Sequence, residues 1–149
     1  MIDVFHIAIK LSNINVVNVL VKILKQKSTQ KYITNLNTKV QLFDQGEDSR
    51  GVQLSAVGGS YSPTTIRIKA RKNQPSNRVT LKDTGDFYKS FEVLVKPNAD
   101  FSIDSDPIKE GVSLFKRWGD DVEGLQDENI ELVMTYLETK FFKELYKGL

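Results

Sequence analysis

The strongest pattern in the chain is a helical repeat of apolar residues that runs over residues 128–147. The first turn of this segment is acidic and its last turns are rich in lysine, which complements the helix dipole, and Gly148 follows as a stop. An amphipathic helix of this length is stable only when its apolar face packs on another element, so the chain must fold back on it. The predicted inward-facing stripe consists of Ile130, Val133, Met134, Leu137, Phe141 and Leu145.

Two more helices are predicted in the first third of the chain. Residues 13–27 have a wide apolar face and one polar stripe, and Ser12 or Asn13 can cap them. Residues 29–43 repeat apolar side chains at helical spacing, and Gly46 follows as a stop. Residues 2–11 fit either a short strand or a first helical turn, and both alternatives stay open.

The middle of the chain predicts shorter helices. Ser62-Pro63 opens one of them, because serine caps a helix and proline suits its first position. Pro107 starts another helix through about Trp118, and Gly119 ends it.

The best strand pattern lies at residues 91–95, where apolar and polar side chains alternate. Residues 97–100 form a turn, after which Phe101 and Ile103 can pair back as an antiparallel partner. The sequence therefore predicts an α+β domain over residues 1–149, with several helices packed on a small antiparallel sheet and a long C-terminal helix.

Composition excludes several kinds of chemistry. The 149 residues include no cysteine, which removes disulfides, thiolate metal sites and cysteine nucleophiles, and which suits a reducing compartment such as cytosol. The N-terminus has no signal-peptide pattern, and the apolar stretch at 14–24 is too short and too polar to span a bilayer. We therefore expect no membrane partner.

Catalytic and ligand-binding motifs are not found in the sequence. His6 is the only histidine, and no phosphate-binding loop or nucleophile elbow is present. The turn Asp44-x-Gly46-x-Asp48-x-x-Gly51 resembles a calcium loop only faintly and is predicted to be an exposed turn. Adjacent carboxylates, Asp120/Asp121 and Asp104/Asp106, lie in turns and helix caps. We expect no enzyme activity, no catalytic residues, no cofactor and no metal.

Charge is distributed unevenly along the chain. Cations concentrate in residues 66–82, while carboxylates dominate the last third. These segments are either two ordinary solvated faces, or complementary surfaces that join copies head to tail, or, for the basic segment, a DNA contact. The cations of the basic segment are Arg67, Lys69, Arg71, Lys72, Arg78 and Lys82.

Residues 79–91 carry a resemblance to a known family. The string Val-Thr-Leu-Lys-Asp-Thr-Gly-Asp-Phe-Tyr-Lys-Ser-Phe is similar to a segment of tailed-phage virion morphogenesis proteins, which are neck, tail-completion and head–tail joining proteins. The same resemblance covers roughly residues 40–130 and includes the segments at 41–51, 61–65, 118–121 and 124–129. The last two of these segments are similar to proteins from phages of Bacteroidetes-type hosts.

Five residues of that segment have roles that can be stated from their chemistry. Thr84 can cap a helix, and Gly85 permits the tight backbone that follows Asp83. Phe87 and Tyr88, together with Phe91, then anchor the following helix and strand to the core.

The resemblance implies a structural protein of the phage particle, assembled in the host cytoplasm. It implies a ring of identical copies at the neck or head–tail junction, or a role in completing the tail, with portal, neck or tail proteins as partners and DNA of the lumen nearby. The loop at 46–62 and the basic segment at 66–78 are the predicted contacts with neighbours. The predicted interface cations are Arg67, Lys69, Arg71, Lys72 and Arg78.

Two other functions remain open at the level of sequence. The first is a small nucleic-acid-binding or regulatory module that uses the basic 66–82 segment. The second is a small hydrolase built on a carboxylate site.

Overall fold

The computed structural model describes residues 14–147, which form an α+β fold as predicted. A 3₁₀ turn at Asp120–Val122 precedes the last helix. The α-helices are α1 Val16–Leu24, α2 Lys27–Asn35, α3 Leu54–Gly58, α4 Pro63–Arg71, α5 Asp86–Lys89, α6 Phe115–Trp118 and α7 Asp127–Lys147. The strands are β1 Glu92–Val95, β2 Phe101–Asp104, β3 Ile108–Lys109 and β4 Val112–Ser113.

The long C-terminal helix α7 is confirmed. Its Val133 and Leu137 are buried in the core, and α7 packs against α1, where Lys22 and Glu144 form an ion pair at 3.4 Å. The predicted stop at Gly148 lies outside the described residues.

Helix α1 is confirmed within shorter limits than predicted. Asn15 is the N-cap, because its side chain accepts a hydrogen bond from the Asn18 amide at 3.0 Å. The predicted start at residue 13 and the predicted caps Ser12 and Asn13 lie outside the described residues, as does the segment 2–11.

The second predicted helix is continuous but changes its winding. After α2 the chain follows a π-helix over Leu36–Gln45, and Gly46 ends it in the left-handed conformation (φ 69°). The wider π turn brings Asn37 and Gln41 into the core, with no exposed surface on either side chain. Leu36 is buried as the predicted apolar spacing requires, whereas Val40 and Phe43 are only partly buried.

The predicted hairpin at 91–103 is confirmed. Strands β1 and β2 pair antiparallel with Val93 opposite Ile103, and both of these side chains are buried. The turn between them contains Ala99 at φ 65°. Helix α2 contacts β1, so the sheet joins the helical core.

The predicted helix from Pro107 to Trp118 is wrong over its first half. Residues 108–113 form the hairpin β3–β4, in which Lys109 pairs with Val112. Glu110 and Gly111 both have positive φ, 52° and 77°, which is the backbone of a tight two-residue turn. Only α6 is helical, and Gly119 ends it as predicted.

The hairpin also moves one predicted core residue to the surface. Val112 is 59% exposed, while Leu114 and Phe115, the other core candidates of that segment, pack partly buried against the core. Among residues 14–147, none of the helices combines the length and the apolar character that crossing a bilayer requires.

Candidate functional site

The Asp83-Thr84-Gly85 turn sits immediately before α5. Gly85 has φ 92°, so the predicted need for glycine is confirmed. Gly85 itself is the N-cap residue, and Thr84 lies one position earlier, where its Oγ1 accepts a hydrogen bond from the Asp86 amide at 3.3 Å. Thr84 therefore supports the start of the helix without occupying the cap position that the sequence predicted.

The aromatic residues that follow anchor this segment as predicted. Phe87 packs edge-to-face on Phe91 with ring centroids 5.0 Å apart. Tyr88 donates a hydrogen bond to the carbonyl oxygen of Thr80, while the amide of Thr80 donates to the Tyr61 hydroxyl at 2.9 Å. Burial raises the pKa of Tyr88, so its phenol stays protonated and keeps this bond.

Asp83 joins the turn to two other elements. Its carboxylate accepts from Lys72 Nζ at 2.5 Å, just after α4, and from Lys109 Nζ at 2.9 Å, on β3. The hydrogen bonds from Lys72 and Lys109 lower the pKa of Asp83 from 3.8 to about 2, and the bond from Lys72 contributes most. The structure therefore brings together two groups that the sequence treated separately, the basic segment and the Asp-Thr-Gly turn.

Three of the predicted interface cations have partners within the chain, although only Lys69 is buried. Lys69 is only 6% exposed, and its Nζ donates to the Lys82 carbonyl at 2.6 Å and lies over the Tyr61 ring. Arg78 donates from Nε to the carbonyl of Phe43 at 2.7 Å. Lys69 is thus a correction to the predicted interface set, since a buried ammonium cannot meet a neighbour, and Lys72 and Arg78 already have internal partners.

Two cations remain available on the outside of α4. Arg67 and Arg71 are exposed and lie four residues apart, so they share one side of the helix. Neither forms an ion pair with a carboxylate of residues 14–147. The outward charge of the basic segment is therefore much smaller than its composition suggests.

Exposed apolar side chains accompany these arginines. Ile68 on α4 is 46% exposed, and on the neighbouring hairpin Ile108 is 57% and Val112 59% exposed. Val112 pairs with Lys109 and therefore lies on the opposite face of the two-stranded ribbon from Ile108. We name the surface formed by Ile68 and Ile108 the α4–hairpin face. It borders a cleft of about 840 Å³ whose lining mixes carboxylates and cations with aromatic residues.

A second surface is an apolar groove of about 710 Å³ between α1, α7 and the β1–β2 turn. Here the predicted core stripe of α7 is uncovered, since Met134 is 60% and Ile130 42% exposed. Asp100 and Glu138 are the charged residues that line the groove within residues 14–147, and both are acidic. Its main apolar lining residues are Val16, Leu20, Phe101, Ile130, Met134 and Phe142.

The turn around Asp48 is not the exposed turn that the sequence predicted. The Asp48 side chain is fully buried and accepts from Arg50 Nη2 at 2.6 Å and from the backbone amides of Arg50 and Val52. The hydrogen bond to Asp48 raises the pKa of Arg50, which also reaches Asp121 at 3.1 Å. No cluster of three potential metal ligands occurs among the described residues.

The remainder of the predicted contact loop at 46–62 is also anchored. It contains α3, and the Gly58 carbonyl accepts from Arg117 Nε at 2.7 Å. A side chain at Gly58 would place its Cβ 2.3 Å from Trp118, so α3 and α6 are in direct contact there. The loop is therefore anchored at Gly46, Asp48, Leu54 and Gly58, while Gln53, Ala56, Val57, Gly59 and Ser60 stay exposed on its outer side.

One member of each carboxylate pair considered for catalysis has a structural partner. Asp121 pairs with Arg50, and Asp106 Oδ1 accepts from the Ile108 amide at 3.0 Å, which starts the β3–β4 hairpin. His6 lies outside the described residues. In comparisons with known proteins, no protein-family model, curated protein or solved structure matches the chain.

Proposed function

We propose that this chain is a structural protein of a tailed-phage particle, without enzymatic activity of its own. In this proposal it forms a ring of identical copies at the neck or head–tail junction, or completes the tail. Its partners are further copies of itself and the portal, neck or tail proteins of the particle, with DNA of the lumen nearby. It is assembled in the host cytoplasm and resides in the virion.

The observation that carries the proposal is the presence of two unlike surfaces with exposed apolar side chains. The cleft beside the α4–hairpin face and the apolar groove have no lining residue in common. A ring of identical subunits needs such a pair, because each copy presents one surface to the copy before it and a different surface to the copy after it. Exposed apolar clusters on a folded domain are typical of protein contacts.

The segment that carries the phage resemblance supports one of these surfaces. Asp83, within residues 79–91, holds α4 through Lys72 and the β3–β4 hairpin through Lys109. The Asp-Thr-Gly turn therefore links the two elements that form the α4–hairpin face. This gives the resembling residues a physical role in presenting a contact surface.

The local chemistry supports a function without catalysis. Asp48, Asp83 and Asp121 are all engaged by arginine or lysine side chains. An acid–base pair of carboxylates needs groups whose pKa values are pushed apart around a substrate site, whereas these carboxylates hold loops together.

The alternative function, nucleic-acid binding through residues 66–82, receives less support. Lys69, Lys72 and Arg78 have internal partners, which leaves Arg67 and Arg71 as the outward cations of α4. Phosphate contacts supply most of the non-specific affinity for DNA, and two arginines give a small electrostatic contribution.

Mass spectrometry of purified particles from the encoding phage tests the proposal. We expect the chain in the virion in several copies, and particles made without it to have unjoined heads and tails or unfinished tails. The absence of the chain from virions would rule the proposal out. A monomer that binds DNA with a steep dependence on salt, and that is absent from particles, would favour the alternative.

A further inference from the structure

We propose that a lysine-rich surface on helices α2 and α7 binds the phosphate backbone of DNA without reading its sequence. This surface is separate from the basic segment at 66–82. The choice of DNA as the partner rests on the proposed function, in which DNA of the lumen lies near the ring.

The positive charge of the chain is concentrated in its first third. No aspartate or glutamate occurs between Asp3 and Asp44, whereas five lysines lie within residues 14–43. The net charge of the whole chain is only +2, so the remainder of the chain carries an excess of acid. A local excess of this kind on a nearly neutral protein produces a positive potential on one side of the molecule.

A pair of stacked tyrosines joins α2 to the second half of α7. Tyr32 on α2 stacks on Tyr136 of α7, with ring centroids 4.3 Å apart and ring planes 10° apart. On α2, Lys31 directly precedes Tyr32. On α7, Lys140 Nζ lies over the Tyr136 ring, 5.5 Å from its centroid, and Lys143 follows one helical turn later. The lysines of both helices therefore lie close to the stack.

We name this surface the α2–α7 basic face and define it by Lys27, Lys31, Lys140 and Lys143. Lys27 lies one helical turn before Lys31, and both side chains are exposed, as is Lys143. None of the four lysines forms an ion pair with a carboxylate of residues 14–147.

The two acids in the second half of α7 do not neutralise this face. Glu138 lines the apolar groove, and it lies two residues after Tyr136, which places it on the other side of the helix. Glu144 pairs with Lys22 at 3.4 Å and with Lys147 at 3.1 Å, so this carboxylate is already shared by two cations.

The chemistry of the face fits a nucleic acid better than a protein. Lysine is depleted in the cores of protein–protein interfaces, whereas lysine contacts to phosphates supply most of the non-specific affinity for DNA. The four lysines exceed in number the two outward arginines of α4. The two tyrosine rings are stacked on each other, so the face offers phosphate contacts, which carry no sequence information.

Titration of the intact chain with a DNA duplex of random sequence, followed by fluorescence anisotropy, tests the inference. If each of the four lysines neutralises one phosphate, the logarithm of the association constant falls with the logarithm of the salt concentration with a slope of about −3.6. Binding then weakens by about 150-fold between about 50 and 200 mM salt.

Lys31→Gln/Lys143→Gln removes one exposed cation from each helix. We expect the midpoint of thermal unfolding to stay close to that of the wild type and the salt slope to become less steep by about 2. The matched control is Arg67→Gln/Arg71→Gln, which makes the same change in net charge at exposed positions of α4 and should keep the slope of the wild type.

A less steep slope in Lys31→Gln/Lys143→Gln alone supports the inference. Equal slopes for this variant and the wild type, or no binding to the duplex at about 50 mM salt, would overturn it. A change in Arg67→Gln/Arg71→Gln alone would place the contact on the basic segment, and equal changes in both variants would reflect net charge only; either result also overturns it. Binding to phosphatidylserine vesicles but not to the duplex would make the partner an anionic membrane and overturn it too.

The proposed function has a separate readout, which is mass spectrometry of particles. In that proposal, contacts between protein subunits place the chain in the particle, so Lys31→Gln/Lys143→Gln should still enter virions. If the wild-type chain is present in virions but its DNA affinity does not depend on the α2–α7 basic face, the inference alone fails. Absence of the wild-type chain from virions removes the proposed function, whatever the duplex titration shows.

Discussion

At the scale of single residues, the fold depends on two buried amides of the π-helix. Asn37 donates to the carbonyl of Val122 and accepts from the amide of Gly124, both at 2.9 Å. Gln41 donates to the carbonyl of Gly124 at 3.0 Å and accepts from the amide of Gln126 at 2.8 Å. The two side chains thus pair with the connection before α7 as a neighbouring strand would, and satisfy its buried backbone groups.

Replacing Gln41→Met tests this role. The variant keeps the side-chain volume but leaves the Gln126 amide, the Gly124 carbonyl and the Asn129 amide without their partner. We expect the free energy of unfolding to fall by about 3 kcal/mol, because each orphaned buried group costs ~1–3 kcal/mol and water replaces some of the bonds. Urea unfolding measures the change. Gln45→Met, on an exposed residue of the same helix, is the control, and an equal effect of both variants would contradict this role.

Residues with local partners were predictable from the sequence, and residues with distant partners were not. Gly85 is required by a backbone angle that its own neighbours impose. Asn37 and Gln41 bond to residues more than eighty positions away. Asp48 has local partners in Arg50 and Val52, but its burial depends on tertiary packing. Sequence patterns place such polar side chains on the surface, since polar burial becomes favourable only when tertiary partners are present.

At the scale of elements, local turn chemistry overrode helical spacing between Pro107 and Trp118. Leu114 and Phe115 fit a helix, but Glu110 and Gly111 adopt the positive φ angles of a tight hairpin turn. Strands β1 and β2 were predictable because alternation and turn agreed there. The long α7 was predictable for the same reason, since its apolar spacing and its charge order agree.

The link that Asp83 makes between α4 and the β3–β4 hairpin predicts a dependence of stability on pH. The folded state lowers the pKa of Asp83 from 3.8 to about 2, so this contribution is fully present above pH 3.8 and is lost as the pH falls toward 2. The ion pairs are partly exposed, with 39% of the Asp83 side chain accessible, so solvent screening limits the effect to about 1 kcal/mol.

Asp83→Asn tests this link. We expect the variant to lose about 1 kcal/mol of unfolding free energy at neutral pH and to show a smaller further loss than the wild type between pH 4 and 2. Urea unfolding at several pH values measures both. Asp86→Asn is the matched control, because its carboxylate lies at the start of α5, next to the turn, and is 80% exposed. Parallel pH profiles for wild type and Asp83→Asn would contradict the assignment.

At the scale of the whole molecule, the two surfaces arise from tertiary packing that no local pattern contains. The stripe on α7 predicts a buried face, yet only Val133 and Leu137 of that stripe are buried within the described fold, while Ile130 and Met134 stay exposed in the groove. The basic segment likewise loses Lys69 to the interior. The sequence could identify which segments carry charge and apolar residues, but the part of each that faces outward depends on how the elements pack.

Reversing the outward charge on α4 tests assembly at this scale. In Arg67→Glu/Arg71→Glu, both side chains are exposed and have no internal ion pair within residues 14–147, so we expect the midpoint of thermal unfolding to stay close to that of the wild type. In the proposed ring the two arginines lie at a contact between copies, so reversing their charge disturbs that contact, and the penalty repeats at every contact around the ring. We therefore expect folded protein that no longer enters particles, measured by mass spectrometry of virions.

Lys25→Glu/Lys39→Glu makes the same change in net charge at exposed positions that line neither surface, and particles should accept it. If both double variants enter particles equally well, the arginines of α4 are not part of the contact; if Arg67→Glu/Arg71→Glu instead loses DNA affinity and still assembles, they face nucleic acid.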